Sequence, residues 1–95
     1  REIWTLEEED WEKLSRVRWN DNQAAFFAIL RNAKNGPLLR ADMINQGIEW
    51  GNGFRLSFNA KLRNLRKVTR DKASYSLDRP FGDGYYAIRK LERSS

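Results

Sequence analysis

The side chains best placed to do chemistry in this sequence are cations, not nucleophiles. From Phe58 onward the apolar residues Phe58, Leu62, Leu65 and Val68 recur at helical spacing, which predicts a helix from about Ser57 to Asp71 with one buried stripe. At about 100° per residue, Asn59, Arg63, Arg66, Lys67 and Arg70 fall together on the side away from that stripe. No acid stands among them. A solvated helix is supported by i, i+4 pairs of opposite charge, whereas Arg63–Lys67 and Arg66–Arg70 repel. Such a face fits a phosphate partner that neutralises it. Asn59 and Arg63 lie one turn apart near the helix start and are the candidates for base edges, since an amide matches adenine and a guanidinium matches guanine. Arg66, Lys67 and Arg70 follow as candidates for the phosphate backbone.

A second candidate is the turn-rich run from Asp78 to Gly84, between two stretches of strand character, Ser74–Leu77 and Tyr85–Ile88. It reads as the tip of a β-hairpin. Arg79 is its candidate phosphate contact, while Asp78 and Asp83 would oppose phosphate; a hairpin that merely closes the core is the equal alternative. Tyr75, Tyr85 and Tyr86 have the chemistry to stack bases, but alternating strand aromatics are expected to pack across strands. Gly51-Asn52-Gly53 lacks the rest of a phosphate-loop fingerprint and reads as a turn. The consecutive acids Glu7, Glu8, Glu9 and Asp10 radiate around one helix instead of converging as metal ligands do. Their expected work is to favour a helix N-terminus.

The sequence contains neither His nor Cys. That removes disulfides, Cys-ligated zinc, the usual general base and the common nucleophilic triads. We expect no enzyme, no metal, no cofactor and no small-molecule substrate. The net charge of +5 hides an asymmetry: the first twelve residues carry one base against six acids, and the rest carry 17 bases against 7 acids. The body is therefore strongly basic, which predicts an anionic partner. No apolar run approaches the roughly 18 residues of a membrane span. An intracellular location is expected. The 95 residues suit a single domain, and the chain, which opens at Arg1, is read as excised from a longer protein.

These side chains need elements to position them. Thr5 and Glu8 have capping-box spacing for a first helix running to about Arg18, with Trp11, Leu14 and Val17 buried. Asn20-Asp21-Asn22 offers N-caps for a second helix from about Asn22 to Ala33. Ala25, Phe26, Ile29, Leu30 and Ala33 form its inner face, widened by Phe27. Asn35-Gly36-Pro37 stops it. Leu38-Leu39 is long enough for a bridge-like strand only. A short helix from about Arg40 to Gln46 turns Ala41 and Ile44 inward, with Met43 a further candidate, and Ile48–Gly53 is a loop before the basic helix. Residues 91–95 read as a tail.

Two resemblances follow. Trp4-Thr5-Leu6 with its run of acids is similar to the opening of a Myb-type repeat. The tryptophans at 4, 11, 19 and 50 are not evenly spaced, however, so this likeness is assigned to shared capping chemistry. The order of helix, short strand, helix, helix and hairpin over residues 20–90 resembles the winged helix-turn-helix fold. That resemblance implies an α+β, mostly helical domain in which the helix of Phe58 to Arg70 enters the major groove and Tyr75 to Ile88 form the wing. Residues 1–19 would add an acidic helix packed on the core. The expected function is binding of nucleic acid, duplex DNA first with RNA open, in transcription regulation. The alternative is a protein–protein module of a larger assembly, docking through the basic helix or the acidic N-terminal helix.

Overall fold

The computed structural model describes residues 2–69, 73–82 and 84–92, with the backbone alone over 66–69. Its elements are β1 (Glu2–Ile3), α1 (Glu8–Ser15), α2 (Asp21–Asn32), β2 (Leu38–Leu39), α3 (Arg40–Asn45), α4 (Phe54–Thr69), β3 (Ala73–Asp78) and β4 (Tyr85–Glu92). They make a small α+β fold of four helices and a four-stranded antiparallel sheet.

β4 is the axis of the sheet. β3 lies along one edge, from Ala73 opposite Glu92 to Asp78 opposite Ala87. The other edge is shared by two short strands, β2 at Tyr85 and Tyr86 and β1 at Lys90 and Leu91. Between them Asn35 fills the vacant register. It sits in the left-handed region at φ 61° after α2, a conformation Asn tolerates. Its Oδ1 accepts from the Ile88 N–H at 2.7 Å, and its Nδ2 donates to the Ile88 carbonyl at 2.8 Å and the Trp4 carbonyl at 2.6 Å. A buried amide thus does for Ile88 what a strand residue would do. β4 runs on to Glu92, where the sequence predicts a tail from Leu91, because Ser74 and Ala73 of β3 pair with Leu91 and Glu92 and Glu2 of β1 flanks Leu91 on the other side.

The helix ends differ from expectation for identifiable reasons. α1 is capped two residues later than Thr5, with the Asp10 carboxylate accepting from the Glu7 N–H at 2.8 Å. It stops at Ser15 rather than Arg18, and the Trp19 indole N–H donates to the Leu14 carbonyl at 3.1 Å. α2 begins on a reciprocal box in which Asn20 and Gln23 each accept from the other's N–H. α4 starts at Phe54, one turn before Phe58, because Phe54 continues the buried stripe.

The core joins α1, α2 and α4 to the inner face of the sheet through Leu14, Phe26, Leu30, Phe58, Leu62, Leu77 and Ile88. Phe26 meets Trp50, Phe54 and Phe58 edge-on, at centroid distances of 5.4, 5.4 and 5.6 Å. Trp19 stacks on Phe58 at 4.2 Å. Ala25 and Ala33 are exposed, contrary to expectation, because the buried arc of α2 centres on Gln23, Phe26, Phe27 and Leu30. On α3 the inward residue is Met43, 2% exposed, while Ile44 is 45% exposed and Ala41 is exposed too.

Candidate nucleic-acid interface

α4 is held on both flanks. On one, Asn59 is half-buried and brackets the backbone of β3: its Oδ1 accepts from the Leu77 N–H at 2.6 Å and its Nδ2 donates to the Leu77 carbonyl at 3.2 Å. Arg55 Nε donates to the same carbonyl at 3.2 Å, and its Nη2 meets the Asp78 carboxylate at 3.0 Å. On the other flank, Lys61 Nζ donates to Gln23 Oε1 at 2.5 Å and to the Arg18 carbonyl at 2.8 Å. The buried Gln23 also donates to the Ser57 hydroxyl at 3.1 Å. These bonds fix the rotation of α4 about its axis.

Between the flanks, α4 shows solvent an outer arc. Arg63 and Asn64 are exposed on it, as expected for Arg63 from the phase of Phe58 and Leu62. Leu56 and Ser57 are exposed in the first turn. Asn59 is placed apart from Arg63, with both ends of its amide committed to Leu77. Arg66 and Lys67 lie in the last turns of α4 with side chains outside the described residues, and Arg70 lies outside them altogether. Of the expected base-reading pair, Arg63 alone stands on the outer arc.

The hairpin is where the sequence predicts it, and Arg79 is exposed just past the end of β3. Asp78 is not the isolated carboxylate expected to oppose phosphate. One oxygen takes Arg55 and the other lies 3.4 Å from Arg89 Nη2. Two guanidiniums around one carboxylate leave this end of the hairpin positive. Asp83 lies outside the described residues. At the tip Phe81 is 75% exposed, touching Tyr85 ring to ring at 6.3 Å. Tyr75 and Tyr86 are buried in packing.

The acids of α1 divide. Glu7, Glu9 and Glu12 are exposed, and Glu8 pairs with Arg31 at 2.5 Å. Asp10 is fully buried and accepts from the Tyr75 hydroxyl at 2.6 Å and from Lys90 Nζ at 2.9 Å. Burial alone would raise its pKa. The hydrogen bonds from Tyr75, Lys90 and the Glu7 N–H, together with the charge of Lys90, outweigh burial and hold Asp10 below its ordinary value. Lys90 is likewise pushed down by burial but held above its ordinary value by Asp10, with help from Glu92. This cluster ties α1 to the sheet. Gly51-Asn52-Gly53 is the turn into α4, with the Gly51 and Gly53 carbonyls accepting from Phe54 and Ser57.

Sequence reasoning missed Gln23, Asn35 and the commitment of Asn59, because the bonds of Gln23 to α4, of Asn35 to β4 and of Asn59 to β3 span distant elements; the local box of Gln23 with Asn20 was the one signal at hand. The exposure of Leu56 had a local signal. It lies out of phase with Phe58 and Leu62 once the helix is extended back to Phe54. Among the described residues no three metal-capable side chains come together, and no helix is long and apolar enough to cross a membrane. Comparison with protein-family models, curated proteins and solved structures gives no match.

Proposed function

We propose that this is a winged-helix-type domain that binds nucleic acid, duplex DNA first, with α4 as recognition helix and the β3–β4 hairpin as wing. One observation carries the reading. α4 is clamped along both flanks, by Gln23 and Ser57 to α2 and by Arg55 and Asn59 to β3, so that a single arc bearing Arg63 is left for a partner. The order α2, β2, α3, α4, β3, β4, with β2 laid antiparallel on β4, supports it. So does the first turn of α4, which carries no acid to repel phosphate, whereas the first turn of α1 carries three and those of α2 and α3 one each. The role is binding, within transcription regulation inside the cell, not catalysis. Arg63 is the base-edge candidate. Lys67, Arg66, Arg70 and Arg79 are the backbone candidates.

The direct test is titration of the folded domain with unrelated duplex DNA at low and moderate salt. Binding that weakens steeply with salt supports the reading. Absence of any complex at low salt with micromolar protein overturns it. The second reading, a protein–protein module, then takes its place, favoured by the exposed acids Glu9 and Glu12 on α1.

A further inference from the structure

Leu56 is 72% exposed in the first turn of α4. It lies about 160° around the helix from the buried Phe58, at about 100° per residue. Ala60 is one turn further along the same line, and Arg63 two turns. The bonds of Arg55 and Asn59 to Leu77 on one side and of Lys61 to Gln23 on the other prevent α4 from rolling to bury this side chain. Among the described residues none covers it. An apolar residue is thus held outward at the point where a recognition helix meets base edges with its N-terminal residues.

From this placement we infer that Leu56 contacts the 5-methyl group of thymine in the major groove, which makes the partner of α4 thymine-containing DNA, not RNA. The inference rests on the DNA-binding reading and deepens it. Four base pairs can be told apart in the major groove, and thymine is marked there by an apolar group that only an apolar side chain matches. Leu56 has no polar atom with which to meet any other edge, while Arg63 on the same line has the guanidinium for guanine. Half-buried Ala60 between them is small and lets the groove floor approach. RNA offers neither feature, since uracil lacks the methyl and the A-form major groove is too narrow for a helix. The basic body and the acid-free first turn of α4 favour a polyanion over an apolar protein groove as the occupant of this face.

The experiment compares the affinity of the 95-residue chain for an alternating dA–dT duplex and for the same duplex with every thymine replaced by deoxyuridine. Each methyl removed from water on binding is worth about fourfold in affinity. The wild type is expected to prefer the thymine duplex by about fourfold or more. Leu56→Ala, at an exposed position that the fold does not need, should bind both duplexes equally. Leu56→Met should keep the preference. Equal binding of both duplexes by the wild type, or a preference that survives in Leu56→Ala, overturns the inference while leaving DNA binding intact. Failure to bind either duplex overturns the DNA-binding reading itself, and the inference with it.

Discussion

In the proposed complex, base reading and backbone anchoring fall to two different residues of α4. Arg63 is exposed on the outer arc, and a guanidinium there presents two parallel donors to one base. In the proposed complex, Arg63→Ala should lower affinity for a selected site by about 1–3 kcal/mol and relax sequence preference. Lys67→Ala should weaken all duplexes alike and make the salt slope shallower by about one unit. Binding isotherms of both variants on a selected and a scrambled duplex decide the matter. Equal losses on both duplexes would leave α4 an electrostatic anchor without base readout. Asp10 acts at the same scale, but on stability. Its carboxyl is held below its ordinary value of 3.8 in the folded state. The stabilisation is therefore fully present above that value and is lost as pH falls through the lowered one. Lys90 is held above 10.5, so its contribution is present below that value and is lost as pH rises through the raised one. Asp10→Asn leaves Lys90 with exposed Glu92, 3.5 Å away, as its remaining carboxylate. The variant should cost about 3–5 kcal/mol at neutral pH in urea unfolding and flatten the acid limb of the stability profile. An unchanged acid limb would remove Asp10 from this role.

At the scale of elements, the periodic parts of the sequence were the legible ones. The stripe Phe58, Leu62 and Leu65 set the phase of α4. Phe26 and Leu30 set that of α2, and the turn residues between Leu77 and Tyr85 announced the hairpin. Leu62→Ala and Phe26→Ala should each cost about 2–5 kcal/mol, measured by denaturant unfolding, since both side chains are fully or almost fully buried. A loss well under 1 kcal/mol from either would mean that the helix packs in another phase. What stayed illegible is what periodicity cannot encode. A two-residue strand such as β1 has no repeat to detect, and Glu2–Ile3 becomes a strand only because β4 passes beside it. Four consecutive acids look alike in sequence; beyond its local bond to the Glu7 N–H, Asp10 is set apart by Tyr75 and Lys90, which stand 65 residues and more away. The sequence places Asn59 by its angle from Phe58 alone. That angle does place it off the stripe, but on the flank where β3 runs.

For the whole molecule, charge decides more than shape. The acidic first twelve residues contain the carboxylates most able to repel a polyanion, yet Asp10 is buried under Lys90 and Glu8 is paired with Arg31. The remaining body carries ten more bases than acids, 17 against 7. If four or five phosphates are neutralised on binding, log K against log salt should slope at about −4 for duplex DNA. A titration series across salt concentrations measures it, and a slope near zero would show that the contact is not with the phosphate backbone. The part of the candidate surface visible in the sequence was this excess and its concentration in one helix. The sequence did not separate the outer arc from the flanks, because that depends on what each flank rests against.

Asn35 and Asn59 act on opposite borders of the sheet but on facing residues, since Ile88 and Leu77 are register partners. Each amide occupies both the donor and the acceptor that its strand residue turns away from the other strand. Across this row the sheet has no open rung on either side. A bare strand edge is an invitation to another chain's strand, with aggregation and domain swapping as the outcome. Here two side chains, one from the turn after α2 and one from α4, stand in the rung and close it. The bonds of Asn59 that hold the rotation of α4 therefore also close this rung of the β3 edge.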